Sequence, residues 1–177
     1  MKKIVLLLWV LLATHYALAE TCYTQALSIK DGDTIKAYCQ NQEIAIRLAA
    51  IDAPEKQQAY GKEAKNYLGS LVRNKNLTIQ IVNKDHYGRL VGNIFIDKMY
   101  VNAQMVKAGY AWVYDAYKQT AAKGHLNDML LFQKQAKHSK IGLWADEKTE
   151  APWIYRKDTK KFGKLNTLWH KIMKLFK

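Results

Sequence analysis

Between positions 22 and 51 the apolar residues gather in three short extended runs, around 26–29, 34–38 and 44–51, set apart by turn signals. Asp31-Gly32 in "KDGDT" favours a tight reversal and "QNQE" at 40–43 supplies a second, so the runs fold into consecutive hairpins. Pro54 closes this section. From 60 to 73 the period changes, with Ala64, Leu68, Leu71 and Val72 recurring at helical spacing. "LTIQIV" at 77–82 alternates as a strand does, "DHYGR" at 85–89 reverses the chain at Gly88, and "LVGNIFI" at 90–96 returns as a second strand. Helical patterns follow at 101–107, stopped by Gly109, and at 117–137, with Ala122, Leu126, Met129, Leu130 and Ala136 inward. Five strands and three helices in this order predict a small α+β domain built on an OB-type barrel.

At 177 residues with 49% apolar content the chain is long enough for one domain with its own core. Its first residues change the picture at one end. Lys2 and Lys3, an apolar run over 4–13 and the small-x-small Ala17-Leu18-Ala19 read as a secretory signal peptide over 1–19, cleaved after Ala19. The run is well short of the roughly 20 residues that span a bilayer. Export to an oxidising compartment and the first hairpin together pair the two cysteines, Cys22 and Cys39, in one disulfide.

Charge changes the picture at the other end. The formal net charge is +13, and residues 156–177 hold eight lysines and arginines against Asp158 alone. Leu165, Leu168, Trp169, Ile172 and Phe176 share one helical face there, with the lysines mostly elsewhere. The expected organisation is therefore a domain over 20–155 followed by a basic amphipathic helix over 156–177. Such a helix suits an anionic membrane surface, nucleic-acid phosphates or a partner groove.

The candidate chemistry concentrates in "IRLAAIDAPE" at 46–55. Arg47 lies between Ala45 and Ala49 on one strand face, which leaves space around its guanidinium. Folding the second hairpin about 41–43 places Asp33 across from 50–52, so Asp31, Asp33 and Asp52 crowd one barrel end. Carboxylates this close raise each other's pKa values unless a cation compensates, and hard oxygen donors without His or Cys partners point to calcium or magnesium. Glu55, aimed by Pro54, is a candidate base for water. Strict alternation puts Arg47 and Asp52 on opposite faces, so the site requires a bend or bulge before Asp52. Arg89, just after the turn at 85–88, can reach the same end with Tyr87. Two arginines, a carboxylate base and a hard cation are what phosphoryl transfer asks for.

These motifs, "DGDT" at 31–34, "IRLAAIDAPE" at 46–55, "DHYGR" at 85–89 and "GLW" at 142–144, resemble the staphylococcal-nuclease-like (thermonuclease) family over about 23–144. The resemblance implies a five-stranded OB-fold barrel with three helices. It also implies a calcium-dependent phosphodiesterase that cuts DNA or RNA to 3′-phosphate ends. Carried over by position, Arg47 and Arg89 match the catalytic arginines, Glu55 the general base, and Asp33 and Asp52 the calcium-binding aspartates. Ala53 stands where the family has a ligand that works through its backbone carbonyl. Tyr87 and Tyr117 match tyrosines near the nucleotide, with Tyr114 the alternative to the latter; aromatic faces hold bases without reading sequence. Gln133 stands where a glutamate is expected, and "KQQAYGKEA" after Glu55 is shorter than the family's lysine-rich loop. His125, His138 and His170 have no metal-ligand spacing, and His86 reads as a solvated turn residue. The expected protein is a monomeric, exported, sequence-tolerant nuclease. Its rivals are an OB-fold nucleic-acid-binding module without turnover and a membrane-associated factor whose tail is the working part.

Overall fold

A computed structural model describes residues 20–175; the expected leader at 1–19 and the last two residues of the tail lie outside the described residues. The chain runs through β1 (Thr21–Thr24), β2 (Ala26–Ile29), β3 (Thr34–Cys39), β4 (Gln42–Leu48), β5 (Ile51–Asp52), α1 (Gly61–Val72), β6 (Leu77–Lys84) and β7 (Leu90–Ile96). It continues with β8 (Met99–Tyr100), α2 (Val101–Lys107), β9 (Trp112–Val113), α3 (Leu126–His138) and α4 (Pro152–Leu175). The main sheet has the order β1-β6-β7-β4-β3-β2, with β8 beside β7. Only Gln25 separates β1 from β2, so the two ends of that path are halves of one bent strand. One half pairs with β6 and the other with β3. The sheet thereby closes into the expected five-stranded OB-type barrel, with β4 and β7 as its parallel pair.

Ile35, Ile46, Leu48, Leu77, Ile79 and Ile94 fill the barrel, and Leu68 of α1 and Met105 of α2 complete the core. Gly32 lets the β2–β3 loop lie directly on α1, since a Cβ there would come within 2.7 Å of the Ala64 side chain and 2.8 Å of that of Ala53. Buried Asn102 of α2 gives its side-chain amide to the carbonyls of Ala49 and Gly92 and accepts from the Ile94 N–H. One polar side chain thus ties a helix, a barrel strand and the bend after β4.

Five sequence expectations shift, two of them simply: the last helix begins at Pro152 rather than 156, and Leu130 is exposed rather than inward. The β3–β4 hairpin turns at Gln40-Asn41, both at positive φ, earlier than the expected 41–43, so Asp33 sits beside Leu48, whose N–H it accepts at 2.8 Å. The expected 117–137 helix begins only at Leu126: Lys118–Thr120 form a 3-10 turn, and Gly124 at φ +84° separates it from α3. The third expected run, 44–51, breaks after Leu48, and Ala50 at φ +63° supplies the bend that strand parity demands before Asp52.

Cys22 and Cys39 form the expected disulfide, with Cα atoms 5.6 Å apart. Their strands are not ladder partners: β1 pairs with β6, so the bridge spans the place where the barrel closes. It encloses a loop of sequence separation 17. Loops near that size give about 3 kcal/mol of stabilisation. The Cys22→Ala, Cys39→Ala double variant is expected to lose that much in a urea melt, with a somewhat larger m-value because the unfolded chain is no longer cross-linked.

Candidate functional site

The bend at Ala49-Ala50 turns β5 out of the barrel to pair with β9, Asp52 lying opposite Trp112. The Ala50 carbonyl accepts the Tyr114 N–H at 2.9 Å, which fixes the bend from the other side. As a result Arg47 and Asp52, on opposite faces by count, meet. The Arg47 guanidinium donates through Nη2 to Asp52 Oδ1 at 2.8 Å and to the Ile51 carbonyl at 3.1 Å, and its Nη1 is paired with Asp33 Oδ2.

Asp33 is buried and accepts from the Ala53 N–H at 3.0 Å and the Thr34 hydroxyl at 3.0 Å. Burial opposes its charge, but Arg47 and these donors together hold its carboxyl below the usual range. Burial likewise opposes charge on Arg47, and Asp33 and Asp52 outweigh it, pushing the guanidinium above its ordinary value. Asp52 behaves differently. It is 1% exposed, and burial pushes it above its ordinary value even though two guanidiniums face it.

The second of those guanidiniums is Arg156, on the first turns of α4. Its Nη2 donates to Asp52 Oδ2 at 2.6 Å, and its Nη1 to Asp52 Oδ1 at 3.2 Å and to Glu55 Oε1 at 2.7 Å. The residue-by-residue reading missed Arg156, because it sits in a lysine-rich stretch that reads as a solvated helix. Trp153, one turn earlier, stacks on Tyr114 with ring centroids 5.2 Å apart and meets Trp112 edge-on, which brings α4 to the site.

Glu55 stands in the loop after β5. Its N–H donates to the Gln58 side chain at 3.1 Å, and its carbonyl accepts the Gln58 N–H at 2.9 Å. Arg89 enters from the β6–β7 turn. Asp85 Oδ1 accepts the N–H groups of Tyr87 and Arg89, and Asp85 Oδ2 accepts Arg89 Nε at 2.7 Å. Its outer guanidinium nitrogen Nη1 reaches the Thr34 hydroxyl at 3.4 Å, beside Asp33. Gly88 at φ +81° permits this reversal.

Arg47, Glu55, Arg89 and Arg156 line one cavity of about 580 Å³, with Asp31, Asp33, Ala53, Tyr87, Tyr114 and Tyr117 also in its wall. Tyr87 and Tyr117 are exposed, whereas Tyr114 is covered by Trp153. The Arg89 guanidinium lies 5.5 Å from the Tyr87 ring centroid. His86 is exposed against Tyr87, and His125 packs on Tyr100 away from the cavity. Gln133, where a glutamate was expected, accepts the Val113 N–H at 2.8 Å and so supports β9 as a neutral residue.

Among the described residues no three His, Cys, Asp or Glu side chains stand at the spacing of a formed metal centre. The donor chemistry is nevertheless that of a hard-cation site. Burial and the neighbouring Asp33 charge push Asp31 from 3.8 to about 6, and burial also raises Asp52. Asp31, Asp33, Asp52 and the Ala53 carbonyl are the oxygen donors that a divalent cation favouring oxygen would use here.

A raised carboxyl favours the folded chain at low pH, and that contribution is lost as pH climbs from about 3.8 through about 6. Asp31→Asn, which keeps an acceptor for the Asp33 N–H, is therefore expected to be about 1–2 kcal/mol more stable than the parent at pH 8 in chelator. The difference should close toward pH 4. Thermal melts at the two pH values check it.

A family model described as staphylococcal nuclease homologue matches residues 45–146. An "Uncharacterized endonuclease" of Escherichia coli O157:H7 is 38% identical over 133 residues, covering 75% of this chain and 83% of that one. One of the same name from Haemophilus influenzae is 36% identical over 156 residues, covering 88% and 83%. The "Micrococcal nuclease" of Shigella flexneri is 35% identical over 146 residues, covering 77% and 81%. The family match stops short of α4 and hence of Arg156.

Proposed function

Because the chain belongs to the staphylococcal nuclease family and is a nuclease, we propose that it is an exported, calcium-dependent phosphodiesterase cleaving DNA and/or RNA with little sequence preference, leaving 3′-phosphate ends. The observation that carries this reading is the convergence of Arg47, Glu55 and Arg89 on one open cavity beside the buried carboxylates of Asp33 and Asp52.

Glu55 takes a proton from water as the water oxygen attacks phosphorus in line, and the bond to the 5′ oxygen breaks. The phosphate stays on the 3′ side and the departing 5′ oxygen leaves as a hydroxyl once it gains a proton. Arg47 and Arg89, approaching from two elements, stabilise the charge that builds on the equatorial oxygens. Tyr87 and Tyr117 offer stacking faces at the rim, which need no particular base. A calcium ion held by Asp31, Asp33, Asp52 and the Ala53 carbonyl would supply Lewis-acid polarisation of a phosphate oxygen.

Export is supported by the leader-like 1–19 and by the disulfide. Lys157, Lys160 and Lys161 follow Arg156 on α4 and add exposed positive charge that suits phosphates. The experiment is cleavage of plasmid DNA and single-stranded RNA by residues 20–177, with calcium and with chelator. Degradation of one or both substrates, only with calcium and to 3′-phosphate ends, is expected. Equal rates in chelator would overturn the calcium requirement, and intact substrates beside salt-sensitive binding would favour the binding module. Amino-terminal sequencing of the exported protein should begin at Glu20.

A further inference from the structure

Arg156 holds the two carboxylates that the proposed reaction most needs free. Asp52 has both oxygens engaged by it, and Glu55 accepts from the same Nη1. The placement is built in: Pro152 is buried, Trp153 stacks on Tyr114, and the Glu150 carbonyl accepts the Gln58 side-chain amide at 2.5 Å. Two arginines thus neutralise Asp52, and they differ in how they are held. Arg47 is 14% exposed and also bound to Asp33 and to the Ile51 carbonyl, whereas Arg156 is 36% exposed and its guanidinium bonds Asp52 and Glu55.

We propose that Arg156 is the resident counter-cation of this carboxylate cluster: it competes with the divalent cation for Asp52, holds Glu55 until that cation binds, and so sets how much cation the enzyme requires. The inference rests on the metal-dependent reading above. A dication at Asp33 and Asp52 repels a guanidinium on the same oxygens, and the arginine with an open path to solvent is the one that leaves. Its departure frees Glu55 to accept a proton from water. It also loosens the first turn of α4, whose Ile154 and Tyr155 N–H groups are bonded to the Ala151 carbonyl.

The test uses residues 20–177 without nucleic acid. Calcium binding by titration calorimetry is compared between the parent and Arg156→Gln, and amide exchange in the first turns of α4 is followed with and without calcium. Arg156→Gln is expected to bind calcium about tenfold more tightly, and calcium should speed α4 exchange in the parent. Equal or weaker binding by Arg156→Gln overturns the proposal. So does α4 exchange that calcium leaves unchanged or slows, a measurement on the parent that decides even if the variant does not fold. Binding of equal strength sinks this inference alone, whereas no calcium binding by either protein sinks the metal-dependent reading along with it.

Discussion

Changing Glu55 to glutamine is expected to slow phosphodiester cleavage by about 10²–10⁴-fold, the usual share of a general base, with the fold retained. The loop that carries Glu55 is set by its backbone: Gln58 bonds both its N–H and its carbonyl, and Gly61 packs so closely on that carbonyl that a Cβ would lie 2.0 Å away. The side chain itself is 38% exposed and is bonded to Arg156. Glutamine has the same shape and still accepts from Arg156, but it cannot take a proton. Nucleic-acid binding should hold or strengthen, since a negative charge leaves a phosphate site. Turnover under saturating calcium, with binding measured in parallel, checks this; a variant within tenfold of the parent would remove Glu55 as the base.

The two cleft arginines should separate in a second experiment. Arg47→Met and Arg89→Met are each expected to lose about 10²–10³-fold in turnover, as loss of a transition-state charge partner does. Only Arg47→Met should also cost stability, about 3–5 kcal/mol, because Asp33 is left buried without its guanidinium. Arg89 is more exposed, and its partner Asp85 keeps the N–H groups of Tyr87 and Arg89 when the guanidinium goes. Its loss should cost less than about 1 kcal/mol. Urea midpoints beside turnover read both quantities. Equal destabilisation by the two changes would contradict the asymmetry in burial.

The residues legible in the sequence are those whose geometry is local. Arg47, Asp52 and Glu55 fall within one ten-residue stretch, and parity alone demanded the bend between the first two; nothing flagged Ala50 as its pivot, because alanine carries no preference for positive φ. Asp85, Gly88 and Arg89 form a self-contained turn, which is why Arg89 was readable. Arg156 was not, because its place depends on Trp153 finding Tyr114 and Trp112, a contact between distant segments that no period encodes. The start of α3 was misplaced for a related reason. Lys118–Thr120 does turn helically, and only the conformation of Gly124 separates that turn from the helix.

The bent first strand has a consequence for the order in which the chain assembles. Its second half can pair with β3 as soon as residues through Cys39 have emerged, whereas its first half must wait for β6, with Cys22 opposite Ile79. Closing a barrel through so distant a pairing is slow, since loop entropy is spent before the contacts form. The Cys22–Cys39 bridge needs neither β6 nor β7 and can form on the first hairpin alone. Oxidation at that stage would then hold the closing strand at the mouth of the unfinished barrel, so that β6 meets an edge already in place. A chain synthesised under reducing conditions has to find that closure unaided, with the edge of β6 open to other chains in the meantime.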